Sequence, residues 1–151
     1  MTSSRRSSTS APPEITFFTD RDLGLQFPDI LRQAGLHVER HADHFAPECP
    51  DVEWLEVVAK RGWTAVTHDA RIRYKPNELK AVEGHKVALL VVAGHAPYAE
   101  LAKAFVATAT RIIQFVEEHE PPFIAKVYRP SKGDLERDPC AAGRIELWYP
   151  R

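Results

Sequence analysis

The sequence predicts an α/β sandwich of three layers with a mostly parallel central sheet of about five strands. Three observations predict it. Short apolar runs rich in β-formers alternate with series of helical spacing, so successive strands should be joined by helical crossovers and run parallel. One run, Val87 to Ala93 (VALLVVA), is apolar without interruption, as a strand covered on both faces has to be. Glycines at 35, 62 and 94 fall where one periodic segment gives way to the next.

Taken in order, Ile15 to Thr19 is a first strand, and Phe27, Ile30, Leu31 and Ala34 then mark a helix that Gly35 stops. Leu36 to Arg40 makes a second short strand. Pro47 and Pro50 punctuate a loop, after which Trp54, Leu55, Val58 and Ala59 define a helix ending at Gly62. Thr64 to Thr67 is the third strand. The polar segment His68 to Glu83 holds one short helix before the VALLVVA strand. A single long helix is expected from Pro97 to about Glu118, with Leu101, Phe105, Ile112 and Val116 on its apolar side. Phe123 to Tyr128 is a further strand. Arg144 to Tyr149 is a candidate sixth, reached by a polar loop from Pro130 to Gly143.

The 151 residues suit one domain over 14–151. Residues 1–13, MTSSRRSSTSAPP, offer nothing apolar to bury and read as a flexible tail. No apolar segment follows the Arg5–Arg6 pair and no run approaches the ~18 residues of a spanning helix, so no membrane partner and a cytoplasmic location are expected. A net charge of −1 excludes a broadly basic, nucleic-acid-coating protein; any nucleic acid must meet a local patch. Cys49 and Cys140 match no zinc spacing and read as reduced thiols. His41 and His44 have a zinc-like spacing without a third ligand and read as loop histidines. Trp54 and Trp63 are core candidates, and Trp148 and Tyr149 belong to a sheet edge or a partner surface.

In a parallel sheet, ligands bind beyond the carboxyl ends of the strands, where the strand order reverses. Acids fall at that edge. Asp20 follows the first strand and Asp69 the third, and two neighbouring strands ~4.8 Å apart would bring both carboxylates to one point. Asp51 lies on the helical stripe of Trp54, Leu55 and Val58, one turn earlier, whereas Glu53 is rotated about 200° from it toward solvent. Two ionised carboxylates ~4 Å apart repel by ~4 kcal/mol at an effective dielectric of 20, so such a group needs protons, donors or a cation. Oxygen ligands suit Mg²⁺ or Mn²⁺. Each acid also has a local use: Asp20 as a helix cap, Asp51 in a helical first turn, Asp69 in closing a turn.

The segments FFTDRDLG and DVEWLEVVAKRGWTAVTHDARIR resemble the PIN domain, the metal-dependent ribonuclease fold of VapC-like toxins, in its compact branch. The resemblance runs roughly from Ile15 to Phe123, and Thr67-His68-Asp69 after an apolar strand is its most specific part. It implies Asp20, Asp51 and Asp69 as catalytic metal ligands, with Asp22 and Glu53 as further candidate ligands, since many PIN proteins place a glutamate on the helix and a fourth acid later. It implies hydrolysis of RNA phosphodiester bonds by an activated water, with RNA as partner; a cognate antitoxin and a homodimer are left open. Arg21, Thr67, Arg71, Arg73 and Lys75 are the candidate substrate-binding residues around those acids.

Two other functions compete. Asp20-x-Asp22 after a strand also resembles the nucleophile motif of haloacid-dehalogenase-like phosphatases, with Gly133-Asp134 and Asp138 imitating their late acidic motif; Pro139 then blocks the helix expected there. A catalytically silent binding module would keep the fold but need no acids gathered at one edge.

Overall fold

A computed structural model describes residues 15–150. The expected tail, residues 1–13, lies outside the described residues. The chain forms β1 (Thr16–Thr19), α1 (Gln26–Gln33), β2 (His37–Arg40), α2 (Asp51–Lys60), β3 (Thr64–Thr67), α3 (Pro76–His85), β4 (Ala88–Val92), α4 (Tyr98–Ala107), α5 (Ala109–Glu118), β5 (Phe123–Tyr128), α6 (Lys132–Arg137) and β6 (Arg144–Tyr149). Six strands make one sheet in the order β2-β1-β3-β4-β5-β6, with the candidate sixth, Arg144–Tyr149, as an edge strand. The pairings from β2 to β5 are parallel, and β6 closes the far edge antiparallel to β5.

Alternation along the strands splits the core into two layers. Phe17, Val66, Leu90 and Ala125 face one side, where Phe27 and Leu31 of α1, Leu101 and Phe105 of α4 and Ile112 of α5 cover them. Phe18, Ala65, Leu89 and Ile124 face the other, under Trp54, Leu55 and Val58 of α2 and Val82 of α3. This is the three-layer sandwich that the alternation of elements predicts.

Two expectations give way to the structure. The long helix after Pro97 is two helices, because buried Thr108 leaves the helical track at φ −97° and ψ 0°. Its hydroxyl donates to Ala104 O at 2.7 Å and accepts from Gly143 N at 2.9 Å, tying the break to the start of β6. The polar loop 130–143 contains α6, which starts with a capping box: Ser131 Oγ accepts from Asp134 N, and the Asp134 carboxylate accepts from Ser131 N. The helix buries no side chain, so hydrophobic periodicity could not have revealed it.

His41 and His44 both lie in the connection between β2 and α2, but His41 is not exposed there. It is buried in a short 3₁₀ turn against Phe18, Phe45 and Trp54, while His44 pairs with Glu39 at 2.7 Å. Trp54 is fully buried; Trp63 is half-buried and stacks on Phe18. Trp148 is buried on the sheet edge beneath Lys126, whose ammonium lies 4.0 Å from the ring centre. Cys49 and Cys140 are free thiols. Among the described residues no helix is long and apolar enough to cross a membrane.

Candidate functional site

The sheet order places a topological switch between β1 and β3: the chain steps from β1 outward to β2, then returns to lay β3 on the other side of β1. Loops leaving β1 and β3 therefore diverge and open a crevice at their carboxyl ends. Asp20 N–H donates to Val66 O at 2.9 Å, which extends the ladder past β1 and fixes where the loop begins. Asp20, Arg21, Asp22, Asp51 and Asp69 line a cleft of about 330 Å³ there.

Thr67, the last residue of β3 and fully buried, organises the cleft. Its hydroxyl oxygen lies 2.9 Å from Asp20 Oδ2 and 3.0 Å from Asp22 Oδ2, and it accepts from Asp69 N at 3.2 Å. A hydroxyl has one hydrogen. It can donate to only one of the two carboxylates at a time, so a proton or a cation between Asp20 and Asp22 would relieve their crowding. Burial, then the charge of Asp22, pushes the Asp20 carboxyl up to about 7 against the bonds from Thr67 and Arg21 N–H. Burial raises Asp22 as well, although His68 N–H donates to both its oxygens at 3.2 Å.

The other two acids are engaged differently. Asp51 opens α2 half-buried, and Trp54 Nε1 donates to its Oδ1 at 2.9 Å, one turn along the same face. Glu53 is exposed, does not line the cleft and stands near the Cys49 thiol at 3.9 Å. Asp69 accepts from Arg71 N–H at 2.9 Å and from Lys75 Nζ at 2.6 Å. Burial acts to raise its pKa, but the Lys75 ammonium and the Arg71 donors outweigh it and hold Asp69 below the usual carboxylate range. The local uses of Asp20 and Asp69 are thus present too: Asp20 caps the 3₁₀ turn Arg21–Leu23, and Asp69 closes a turn.

As they stand, no three His, Cys, Asp or Glu side chains among the described residues form a ready-made metal-ligand group. The carboxylates face a common cleft with their oxygens already held by Thr67, Trp54 and Lys75. The donor set is all oxygen and its charge is only partly met by hydrogen bonds. That chemistry fits a hard divalent cation, provided Lys75 yields its place on Asp69.

The candidate substrate-binding residues disperse. Arg21 lines the cleft. Thr67 is beneath it, bonded to the acids. Arg71 is 82% exposed and 3.4 Å from Asp69, and Lys75 is the Asp69 partner. Arg73 stands away from the cleft over the rings of Tyr74, Trp148 and Tyr149, at 5.6, 5.4 and 5.7 Å. Asp134 is spent in the α6 capping box and on Arg137 at 2.8 Å, Asp138 accepts from Cys140 N at 2.9 Å, and neither lines the acid cleft. Sequence reasoning missed His68, whose backbone holds Asp22, and the role of Trp54 on Asp51; an Asp three residues before a Trp on a helix was the available signal for the second.

A family model described as a PIN-like domain matches residues 15–94, which span β1 to the end of β4 and hold every acid of the cleft. No curated protein and no solved structure matches the chain.

Proposed function

Because the chain belongs to the PIN-like domain family, a nuclease-type fold, we propose that it is a Mg²⁺- or Mn²⁺-dependent endoribonuclease. The observation that carries this reading is the convergence of Asp20, Asp22, Asp51 and Asp69 on one cleft at the switch point, with two of them sharing one hydroxyl hydrogen. Asp20, Asp51 and Asp69 would hold the cation, with Asp22 beside them. When bound, it would polarise a phosphate oxygen and lower the pKa of an attacking water. Thr67 and the His68 N–H orient Asp20 and Asp22. Trp54 fixes the Asp51 carboxylate toward the cleft. Arg21 at the rim, with Arg71 and Lys75 beside Asp69, supplies positive charge for the phosphodiester.

On this reading the protein acts in the cytoplasm as the toxin of a toxin–antitoxin pair, with RNA as substrate, a cognate antitoxin as partner and a homodimer as an assembly to test. The support is the family alone. Induced expression should arrest growth, and the arrest should vanish with Asp20→Asn.

One observation favours a silent binding module instead: Lys75 occupies the position on Asp69 that a cation would take. Mn²⁺ titration decides between them. A nuclease melts higher in millimolar Mn²⁺, by mass action on the native state, and cleaves single-stranded RNA without forming a phosphoprotein. An unchanged melting curve with no cleavage refutes the nuclease. Trapping of beryllofluoride on Asp20, with rapid hydrolysis of a phosphate monoester, would reinstate the phosphatase.

A further inference from the structure

A second cavity opens on the same rim of the sheet, two strands from the acids. It measures about 410 Å³ and is lined by Gly94 after β4, Tyr128 and Arg129 at the end of β5, Lys132 of α6 and Arg144 at the start of β6. Parallel strands ~4.8 Å apart put it ~10 Å from the end of β3. All its cations come from beyond residue 94, where the family match ends.

Its charge is opposite to that of the acid cleft. Arg144 lies over the Tyr128 ring at 4.1 Å and pairs with Glu146 at 2.7 Å. Arg129 and Lys132 have no carboxylate within ion-pair distance among the described residues. Two uncompensated cations therefore face one cavity in a chain whose net charge is −1.

The two clefts are physically joined. His68, whose backbone N–H holds Asp22, bonds through Nε2 to Gly94 O at 2.8 Å. On the other side of Gly94 lies the Arg129 guanidinium, whose Nη2 would be 3.3 Å from any Cβ placed there. Gly94 has φ +95°, and a side chain there would press on the Arg129 guanidinium. An open basic trough beside a nuclease centre fits an extended polyanion.

We propose that the cavity of Arg129, Lys132 and Arg144 binds the phosphodiester backbone of single-stranded RNA flanking the phosphate held in the acid cleft. This rests on the ribonuclease reading above. RNA fits better than an acidic protein because the cations sit on the same sheet rim as a cleft suited to phosphodiester chemistry, with His68 bridging the two through its bonds to Asp22 and Gly94.

The test is the double variant Arg129→Gln/Lys132→Gln, assayed in Mn²⁺ against a single-stranded oligoribonucleotide and a dinucleotide too short to reach the trough. Each lost phosphate contact removes ~0.7 from the slope of log affinity against log salt, so two make it shallower by about 1.4. At ~0.1 M salt the same two contacts correspond to roughly a 25-fold rise in KM for the oligonucleotide. The expected kcat, dinucleotide KM and Mn²⁺-induced rise in Tm are those of the wild type, since neither residue lines the acid cleft. Arg61→Gln, whose side chain lies over Trp63, is the control and should change nothing. Oligonucleotide cleavage with unchanged KM and salt slope overturns this inference and leaves the ribonuclease reading intact. A wild type that cleaves neither substrate overturns both. Inhibition by polyglutamate as strong as by a non-cleavable oligonucleotide would assign the trough to an acidic protein instead.

Discussion

Asp20→Asn tests the charge crowding at the switch point without any substrate. An acid with a raised folded pKa holds its proton more tightly when folded, so its contribution is full below the unfolded value and is lost as pH rises through the folded one. For Asp20 the window runs from 3.8 to about 7, and Asp22 shifts in the same direction. Between pH 5 and 8 the rise covers about two pKa units, or roughly 3 kcal/mol at 1.36 kcal/mol each. Water reaching the half-buried carboxylate reduces this to about 1.5 kcal/mol. For a domain of this size that is a fall of about 5 °C in Tm.

Other groups have to be separated from it. Asp69, Asp43, Asp134 and Glu56 have lowered values, so their stabilisation is present above the unfolded pKa and lost only as pH falls below 4.5. His41, lowered mainly by burial, has the opposite slope near neutral pH but is common to both proteins. The measurement is therefore the difference between wild-type and Asp20→Asn melting temperatures in chelator, from pH 5 to 8. The wild type should lose about 5 °C relative to the variant, and millimolar Mn²⁺ at pH 8 should restore the wild type only. Parallel curves in chelator would show that burial and the charge of Asp22 do not hold the Asp20 carboxyl protonated up to about 7.

Asp51→Asn should remove most RNA cleavage at saturating Mn²⁺ while Glu53→Gln stays within a few-fold, because Asp51 lines the cleft and Glu53 does not; the reverse result would move the ligand to Glu53. Lys75→Met frees Asp69, so Mn²⁺ should raise Tm at lower concentration than in the wild type while KM for RNA rises; unchanged Mn²⁺ dependence would mean that Lys75 does not compete for the cation's place. Gly143→Ala should cost ~3 kcal/mol or more in chemical denaturation, since a Cβ there would overlap Tyr128 O, and a variant of wild-type stability would contradict that close approach.

The elements that were legible in the sequence are those whose signals are local. Thr64–Thr67 and Phe123–Tyr128 are short, dense in β-formers and bounded by residues that turn the chain, so their ends could be read directly. The acids after β1 and β3 follow from chain order, and the stripe that carries Asp51 follows from the helix period. What escaped depends on how the folded backbone places partners, whether distant or a few residues away. The break at Thr108 is fixed by Gly143, 35 residues away. The Lys75–Asp69 pair depends on the 3₁₀ turn Ile72–Tyr74, which brings the ammonium back onto the carboxylate. His41 is buried because Phe18, Phe45 and Trp54 surround it, which no histidine spacing records. The helix α6 is a different case, since Ser131-x-x-Asp134 stood in the sequence as a capping pattern with no apolar stripe to draw attention to it.

The division of labour between the two parts of the chain constrains how the site can work. Residues 15–94 supply β1 to β4 and all the acids, yet β4 would then be an edge strand with five buried residues and no partner on one side. Such an edge is an aggregation template. Pairing with β5 covers it, and Ile124 and Ala125 enter the two core layers from that side. The later residues are therefore a structural condition for the acid cleft. They also place Arg129 and Arg144 at the rim, because β5 runs parallel to β4 and β6 returns antiparallel, bringing one strand's end and the next one's start together. Ending the chain after Gly94 should thus yield an insoluble product. Changing the cations of the trough should leave a folded protein with its acids in place.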